Sequence, residues 1–137
     1  GLACTRNEVS GTRVWGWAEQ RFGTADNFFK DFFVANYCPL IFYTEDAKNM
    51  TPDKIKTSER KPLLEICDES LRWLAAIVQP QFVVGIGKFA ADRAKTALAD
   101  TDIKVCNIMH PSPANPKANK GWAQIIEREM QEQGITI

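Results

Sequence analysis

An α/β fold of the three-layer αβα type, built on a short parallel sheet, is what this sequence of 137 residues predicts. Two observations carry that expectation. Short apolar runs that read as buried strands alternate with longer segments of helical periodicity, and such alternation argues for a parallel sheet covered on both faces. The polar and glycine-bearing features then fall where open α/β sheets bind ligands, beyond the carboxyl ends of the strands: Asn36, the turn Gly85–Lys88, and the stretch from His110 onward.

Residues 1–9 read as an irregular lead-in. From Ser10 to Phe22, Val14, Trp15, Trp17, Ala18 and Phe22 recur at spacings near three and four, which predicts a helix despite Gly16. A second short helix is expected over Ala25–Phe33, started by Asp26. Phe32–Tyr37 reads as a short buried strand and residues 44–60 as a polar loop, in which Thr51-Pro52-Asp53 can open a helical turn. Leu63, Leu64, Ile66, Cys67, Leu71, Trp73, Leu74 and Ile77 mark an amphipathic helix that ends near Pro80. Strands are expected over Gln81–Ile86 and Ile103–Met109, with a helix over Lys88–Leu98 between them. Residues 110–120 form a Pro/Asn/Lys loop, and Gly121–Gln133 is the last helix, stopped by Gly134. Three strands, near 32–37, 81–86 and 103–109, make a thin sheet.

Composition narrows the classes. An apolar fraction of 45% with 25% charged residues, four Trp and eight Phe suffice for a real core. No run approaches the roughly 18–20 apolar residues of a membrane helix, so no membrane association is expected. The start of the chain carries no long apolar stretch of the signal-peptide kind. Net charge is zero, so any contact with nucleic acid must come from a local patch. Cys4, Cys38, Cys67 and Cys106 form no C-x-x-C pair. They read as buried free thiols of a reducing compartment, not as metal ligands.

His110 is the only histidine, and it closes a strand. An imidazole there can donate a hydrogen bond to a developing anion; the plainer alternative is a histidine that caps or packs. It opens the run His110-Pro111-Ser112-Pro113-Ala114-Asn115-Pro116-Lys117-Ala118-Asn119-Lys120-Gly121-Trp122. Three prolines stiffen this loop. Pro and small apolar side chains can wedge into a base stack while Lys and Asn hold phosphates. An ordinary Pro-rich connector is the alternative, although so long a loop is itself a functional signal. Gly85-Ile86-Gly87-Lys88 opens a helix whose N-terminus can favour an anion, but it lacks the full dinucleotide pattern.

The loop sequence resembles the DNA-insertion motif of the single-strand-selective monofunctional uracil-DNA glycosylases. Glu8-Val9-Ser10-Gly11 with its Trp-rich helix, Phe33-Val34-Ala35-Asn36-Tyr37-Cys38-Pro39-Leu40, and Val83-Val84-Gly85-Ile86-Gly87 are similar too, in register from about residue 8 to about residue 134. The resemblance implies a uracil-DNA glycosylase-like fold and a hydrolase that releases uracil, and 5-hydroxymethyluracil-type bases, from DNA to leave an abasic site. It implies no cofactor and no metal. Its partners are single- and double-stranded DNA containing uracil.

The residue roles follow by the same resemblance. Asn36 reads the uracil edge, where its carbonyl and NH2 complement N3–H and O4 while cytosine presents the opposite pattern. Met109 lies with it at the base. His110 sits by uracil O2 and stabilises the leaving base. Pro111, Ser112, Pro113, Ala114, Asn115, Lys117, Asn119 and Lys120 contact DNA and fill the gap left by the flipped nucleotide. Gly85, Gly87 and Lys88 lie near the DNA backbone. Mammalian-type members carry Arg where this chain has Ala114, so weaker duplex invasion and a stronger lean to single strands are expected.

The family pattern also includes an earlier Gly-Met-Asn-Pro-Gly-Pro-like segment, whose Asn positions the hydrolytic water, and a Phe that stacks on uracil. Neither has a counterpart here. Residues 1–137 therefore read as a single, incomplete domain lacking its first strand: first as a fragment of a longer product, second as a chain that pairs with a separate N-terminal segment of the same protein, third as a truncated, inactive relative. Asp26, Glu45 and Asp46 are conceivable substitutes for water activation but read first as solvated charges. Two other functions stay in view: a DNA-binding module without catalysis, and a small-molecule nucleotide-binding domain using the Gly85–Lys88 turn. The bacterial cytoplasm is the expected location, or the nucleus in a eukaryote.

Overall fold

The structure is a computed structural model that describes residues 8–50 and 54–137. The elements run α1 (Val9–Phe22), α2 (Ala25–Asp31), β1 (Phe42–Tyr43), β2 (Asn49–Met50), α3 (Thr57–Val78), β3 (Phe82–Ile86), α4 (Lys88–Ala97), β4 (Lys104–Ile108), a 3-10 turn (Ala118–Lys120) and α5 (Trp122–Glu132).

The sheet that positions the functional loops is β3 paired in parallel with β4, from Phe82 opposite Lys104 to Ile86 opposite Ile108. Its side chains alternate between two helical layers, as the two-residue period of a strand requires. Phe82, Val84, Ile86, Cys106 and Ile108 face a core shared with α1, α2 and α5. Val83 and Val105 face the other way, onto Leu71 and Ala75 of α3 and Ala97 of α4. The three-layer αβα arrangement is thus present.

The first of these cores is aromatic. Trp17, Phe22, Phe28, Phe32 and Trp122 meet largely edge to face, with Trp17 and Trp122 centroids 6.5 Å apart, an arrangement the ring quadrupoles favour. Trp122, Ile126 and Met130 recur every four residues on α5 and are all buried, so one stripe of that helix drives its docking. On α4 the packing is closer. A Cβ on Gly85 would lie 2.7 Å from the Ala91 Cβ, so only glycine lets the helix approach the strand this far.

The outer edge of β4 is closed by side chains instead of a strand. Gln133 accepts from the Asn107 N–H at 2.9 Å and donates to its carbonyl at 2.9 Å. Glu129 accepts from the Met109 N–H at 2.6 Å. The other edge, on β3, has no strand partner among the described residues.

Several expectations are corrected. Residues 32–37 are not a strand: Phe32 ends α2 with its N–H on the Phe28 carbonyl, and the following extended segment joins no ladder among the described residues. The apolar run looks like a strand because Phe28 and Phe32 serve the aromatic core, whereas Phe33 and Val34 are exposed. The polar stretch 44–60 holds the second strand of a small antiparallel hairpin, Phe42 opposite Met50 and Tyr43 opposite Asn49, and the start of α3 at Thr57. The turn expected at Thr51-Pro52-Asp53 lies outside the described residues. Gly121 precedes α5 as its cap at φ 118°, and Gly134 follows it at φ 86°, the stop expected there. Cys67 and Cys106 are buried free thiols and Cys38 is half-buried and free, while Cys4 lies outside the described residues.

Candidate functional site

Three segments far apart in sequence converge at the N-terminus of α4. The first is the end of β3, where Gly87 turns the chain at φ 92° and ψ 159° and donates its N–H to the Ile108 carbonyl at 2.8 Å. The second is the end of β4, where His110 packs on Gly87: a Cβ there would be 3.0 Å from the His110 Cβ and 3.3 Å from Cδ2. The third is the segment that carries Asn36. Its next residue, Tyr37, stands edge-on to Phe89 in the first turn of α4, with centroids 5.8 Å apart.

Tyr37 is also the hub of a charged network. Its hydroxyl meets Asp68 Oδ1 at 2.6 Å and lies 3.1 Å from the Leu64 carbonyl. Arg93 donates from Nε to Tyr37 Oη at 3.1 Å and pairs with Asp68 through Nη2. Burial, and then the bond to Asp68, push the Tyr37 phenol above its ordinary range, so it stays protonated. Burial, and then the neighbouring Cys38 thiol, push Cys67 up to about 11, which keeps it an unreactive thiol at neutral pH. Asp68 is the one buried charged residue among those described. It locks the segment after Asn36 to α3 and α4.

Asn36 itself is exposed, and its amide bonds nothing else among the described residues. Donor and acceptor are both available to a ligand. His110 is exposed as well. Its Nδ1 accepts the Ser112 N–H at 3.1 Å. A nitrogen that accepts carries no proton, so the neutral ring bears its hydrogen on Nε2 and presents a donor outward. That is the tautomer able to stabilise an oxyanion. No side chain caps the first turn of α4, whose free N–H groups add positive potential beside the imidazole.

The loop after His110 is more ordered than an irregular connector. Ser112 Oγ accepts from the Ala114 N–H at 3.2 Å, Asn115 Oδ1 accepts from the Lys117 N–H at 3.1 Å, and the 3-10 turn over Ala118–Lys120 closes it. The start of the loop is held by Trp122, whose indole donates to the Met109 carbonyl at 2.8 Å.

The structure places the other residues singled out in the sequence as follows. Gly85 is buried beneath α4, packed against Ala91. Pro111 is among the most buried side chains and anchors the loop from inside. Ser112, Asn115 and Asn119 direct their side chains into the loop itself. Met109 is half-buried, with both backbone groups bonded. Lys88 pairs with Asp92 one turn on. The outward groups are Pro113, Ala114, Lys117 and Lys120, and neither of these lysines has an ion-pair partner among the described residues. Arg13, Tyr37, Asp68 and Arg93 were not foreseen. Asp68 carries a signal, an acid on the apolar stripe Leu64–Leu71–Ala75 of α3; Arg13 carries none. Among the described residues, no cluster of His, Cys, Asp or Glu is suited to a metal ion.

Fold and site together define an α/β domain whose functional loops gather at the carboxyl ends of a parallel sheet, with an imidazole donor, an unengaged amide and a proline-stiffened lysine loop. The chain belongs to the uracil DNA glycosylase superfamily, whose sequence profile matches residues 6–130. It is 39% identical, over 98% of its length, to the single-strand selective monofunctional uracil-DNA glycosylase of Rattus norvegicus, of which it covers 49%. The Bos taurus protein of that name is 37% identical over 98% of this chain and 50% of its own length. The Mus musculus protein is 39% identical over 98% and 49%. The chain thus spans about half the length of the curated relatives it matches.

Proposed function

We propose that these residues carry base recognition and leaving-group stabilisation for a monofunctional DNA glycosylase that hydrolyses the N-glycosidic bond of uracil, preferring single strands. The observation that carries this reading is that the segment bearing the unengaged Asn36 amide, held through Tyr37 on Phe89, meets the α4 N-terminus where the imidazole is fixed with its proton on Nε2. In this reading Asn36 accepts from uracil N3–H and donates to O4, with Met109 beside the base. As the bond to the sugar breaks, negative charge grows on the base. His110 Nε2–H donates to O2 and holds that charge, and no proton need be transferred in bulk. Pro113 and Ala114 occupy the space of the extruded nucleotide, while Lys117 and Lys120 hold phosphates. No cofactor enters these steps. The reducing interior of a bacterial cell, or a eukaryotic nucleus, is the proposed location.

The test is alkali-revealed scission of a labelled single-stranded uracil oligonucleotide. The chain would be assayed alone and joined to the part of the rat relative that lies outside the matched region, each with and without His110→Ala. Removing a charge-stabilising donor is expected to slow cleavage by about 100-fold with little loss of binding. Cleavage by neither form, or cleavage indifferent to His110, overturns the proposal.

A further inference from the structure

We propose that Arg13 is a positioning residue that sets the shape of the 111–120 loop before DNA arrives, a role resting on the proposed contact of that loop with DNA. Arg13 lies on α1, about a hundred positions from the loop in sequence, yet its guanidinium spans it. Nη1 donates to the Pro111 carbonyl at 2.9 Å, and Nη2 donates to Asn119 Oδ1 at 2.7 Å. Asn119 Nδ2 then donates to the Pro113 carbonyl at 3.1 Å. The orientation of that amide is dictated, because a guanidinium only donates and a carbonyl only accepts. One side chain therefore ties the first residue of the loop, its tip and its last turn into a single closed circuit.

The circuit matters because of what the tip lacks. Pro113 and Ala114 have no long side chain to fill a gap in a base stack. A wedge made of backbone and short side chains works only if its shape already exists, since ordering it on binding would cost affinity. The buried Pro111 ring supplies the foundation, and Arg13 supplies the brace. A lysine cannot replace it: one ammonium on a flexible stem lacks the planar fork that reaches two fixed acceptors. Arg13 has no carboxylate partner among the described residues, and its bonds to them go to the loop.

The experiment compares the chain with its Arg13→Met, Arg13→Lys and Asn119→Ala variants. It measures amide hydrogen exchange over 111–120 and binding of a single-stranded uracil oligonucleotide across a range of salt concentrations, with Lys120→Ala as reference. Arg13→Met is expected to raise exchange at Asn115 and Ala118 and to weaken binding about tenfold, on the cost of ordering a few residues at an interface. Its salt slope stays that of the parent, because Arg13 touches no phosphate, while Lys120→Ala lowers the slope by about one contact. Arg13→Lys recovers less than half of the lost affinity, and Asn119→Ala, a surface change, reproduces the faster exchange. Unchanged exchange, or faster exchange with parental binding while Lys120→Ala still lowers the slope, overturns the proposal. So does a salt slope lowered by Arg13→Met, which would make Arg13 a phosphate contact. If Lys120→Ala and Arg13→Met both leave binding unaltered, the contact of this loop with DNA is what fails, and the positioning role fails with it.

Discussion

Gly87 and His110 are in van der Waals contact across the ends of β3 and β4, with a virtual Cβ on Gly87 only 3.0 Å from the Cβ of His110. Gly87 also holds φ 92° and ψ 159°, a backbone region essentially closed to other residues. The glycine is therefore required twice, once for the turn into α4 and once for the room the imidazole occupies. Gly87→Ala is expected to lower stability by about 1–3 kcal/mol through backbone strain. On the role proposed for His110, the displaced imidazole should also reduce uracil excision by at least about tenfold, the cost of misplacing a group that acts on the substrate. Thermal melting and the cleavage assay read the two effects separately. Gly16→Ala is the control: it sits inside α1 with open space around it and should stabilise by about 0.5–1 kcal/mol.

Asp68 and Arg93 make the second prediction. The Asp68 side chain is 8% exposed and that of Arg93 24%. Asp68→Asn removes the negative charge and leaves a partly buried guanidinium without its counterion. A loss of roughly 2–4 kcal/mol is expected, below the full cost of breaking a buried pair because Arg93 keeps some contact with water. Tyr37 also loses its carboxylate acceptor, so the Asn36 segment loosens. The double variant Asp68→Asn, Arg93→Met should recover at least half of the lost stability in urea titration; a double variant no better than the single would place the cost elsewhere.

How much of this was legible in the sequence depended on the kind of signal. The stripe Trp122, Ile126, Met130 was readable because burial imposes a helical period, and the parallel strands around Val84 and Cys106 because each apolar run alternates with a segment of helical periodicity. The run from Phe32 to Tyr37 misled because a short apolar stretch has no period of its own. His110 and the lysines stood out as residue types, but their geometry did not. That Ser112 fixes the imidazole tautomer, or that Asn119 turns inward to Arg13, depends on contacts between residues distant in sequence. The aromatic core shows the same limit. Composition promised it, yet which of Phe28, Phe29, Phe32 and Phe33 would enter it was decided by the end of α2.

Glu8 sets an acid limit on α1. Its carboxyl is held below its ordinary value by the Gly11 N–H first and the Ser10 N–H second, with the His110 charge a smaller contribution in the same direction. A lowered folded pKa means the stabilisation is present above the usual carboxylate range and is lost as pH falls through the folded value. Acidification below the ordinary carboxylate range should therefore fray the first turn of α1, the helix that also carries Arg13. Glu8→Gln is expected to cost about 0.5–1 kcal/mol at neutral pH and to flatten the acid limb of the melting curve. An identical acid limb in the variant would assign that limb to another group.

Asn36 gives the sharpest test of base reading because its side chain does nothing for the fold. It is exposed and bonds no other described residue, so Asn36→Asp should leave stability within about 0.5 kcal/mol of the parent. The chemistry changes sharply, however. An amide offers uracil an acceptor for N3–H and a donor for O4, whereas a carboxylate accepts only. The donor to O4 disappears, and two acceptors face each other across the base edge. That mismatch is worth about 1–3 kcal/mol, so uracil binding should weaken by about 10–100-fold. Cytosine, whose N4–H2 donates, should gain relative to uracil. Competition between uracil- and cytosine-containing oligonucleotides for the parent and the variant measures the ratio directly. A ratio unmoved by the substitution would mean that Asn36 does not face the base, and that discrimination rests on backbone groups at the α4 turn.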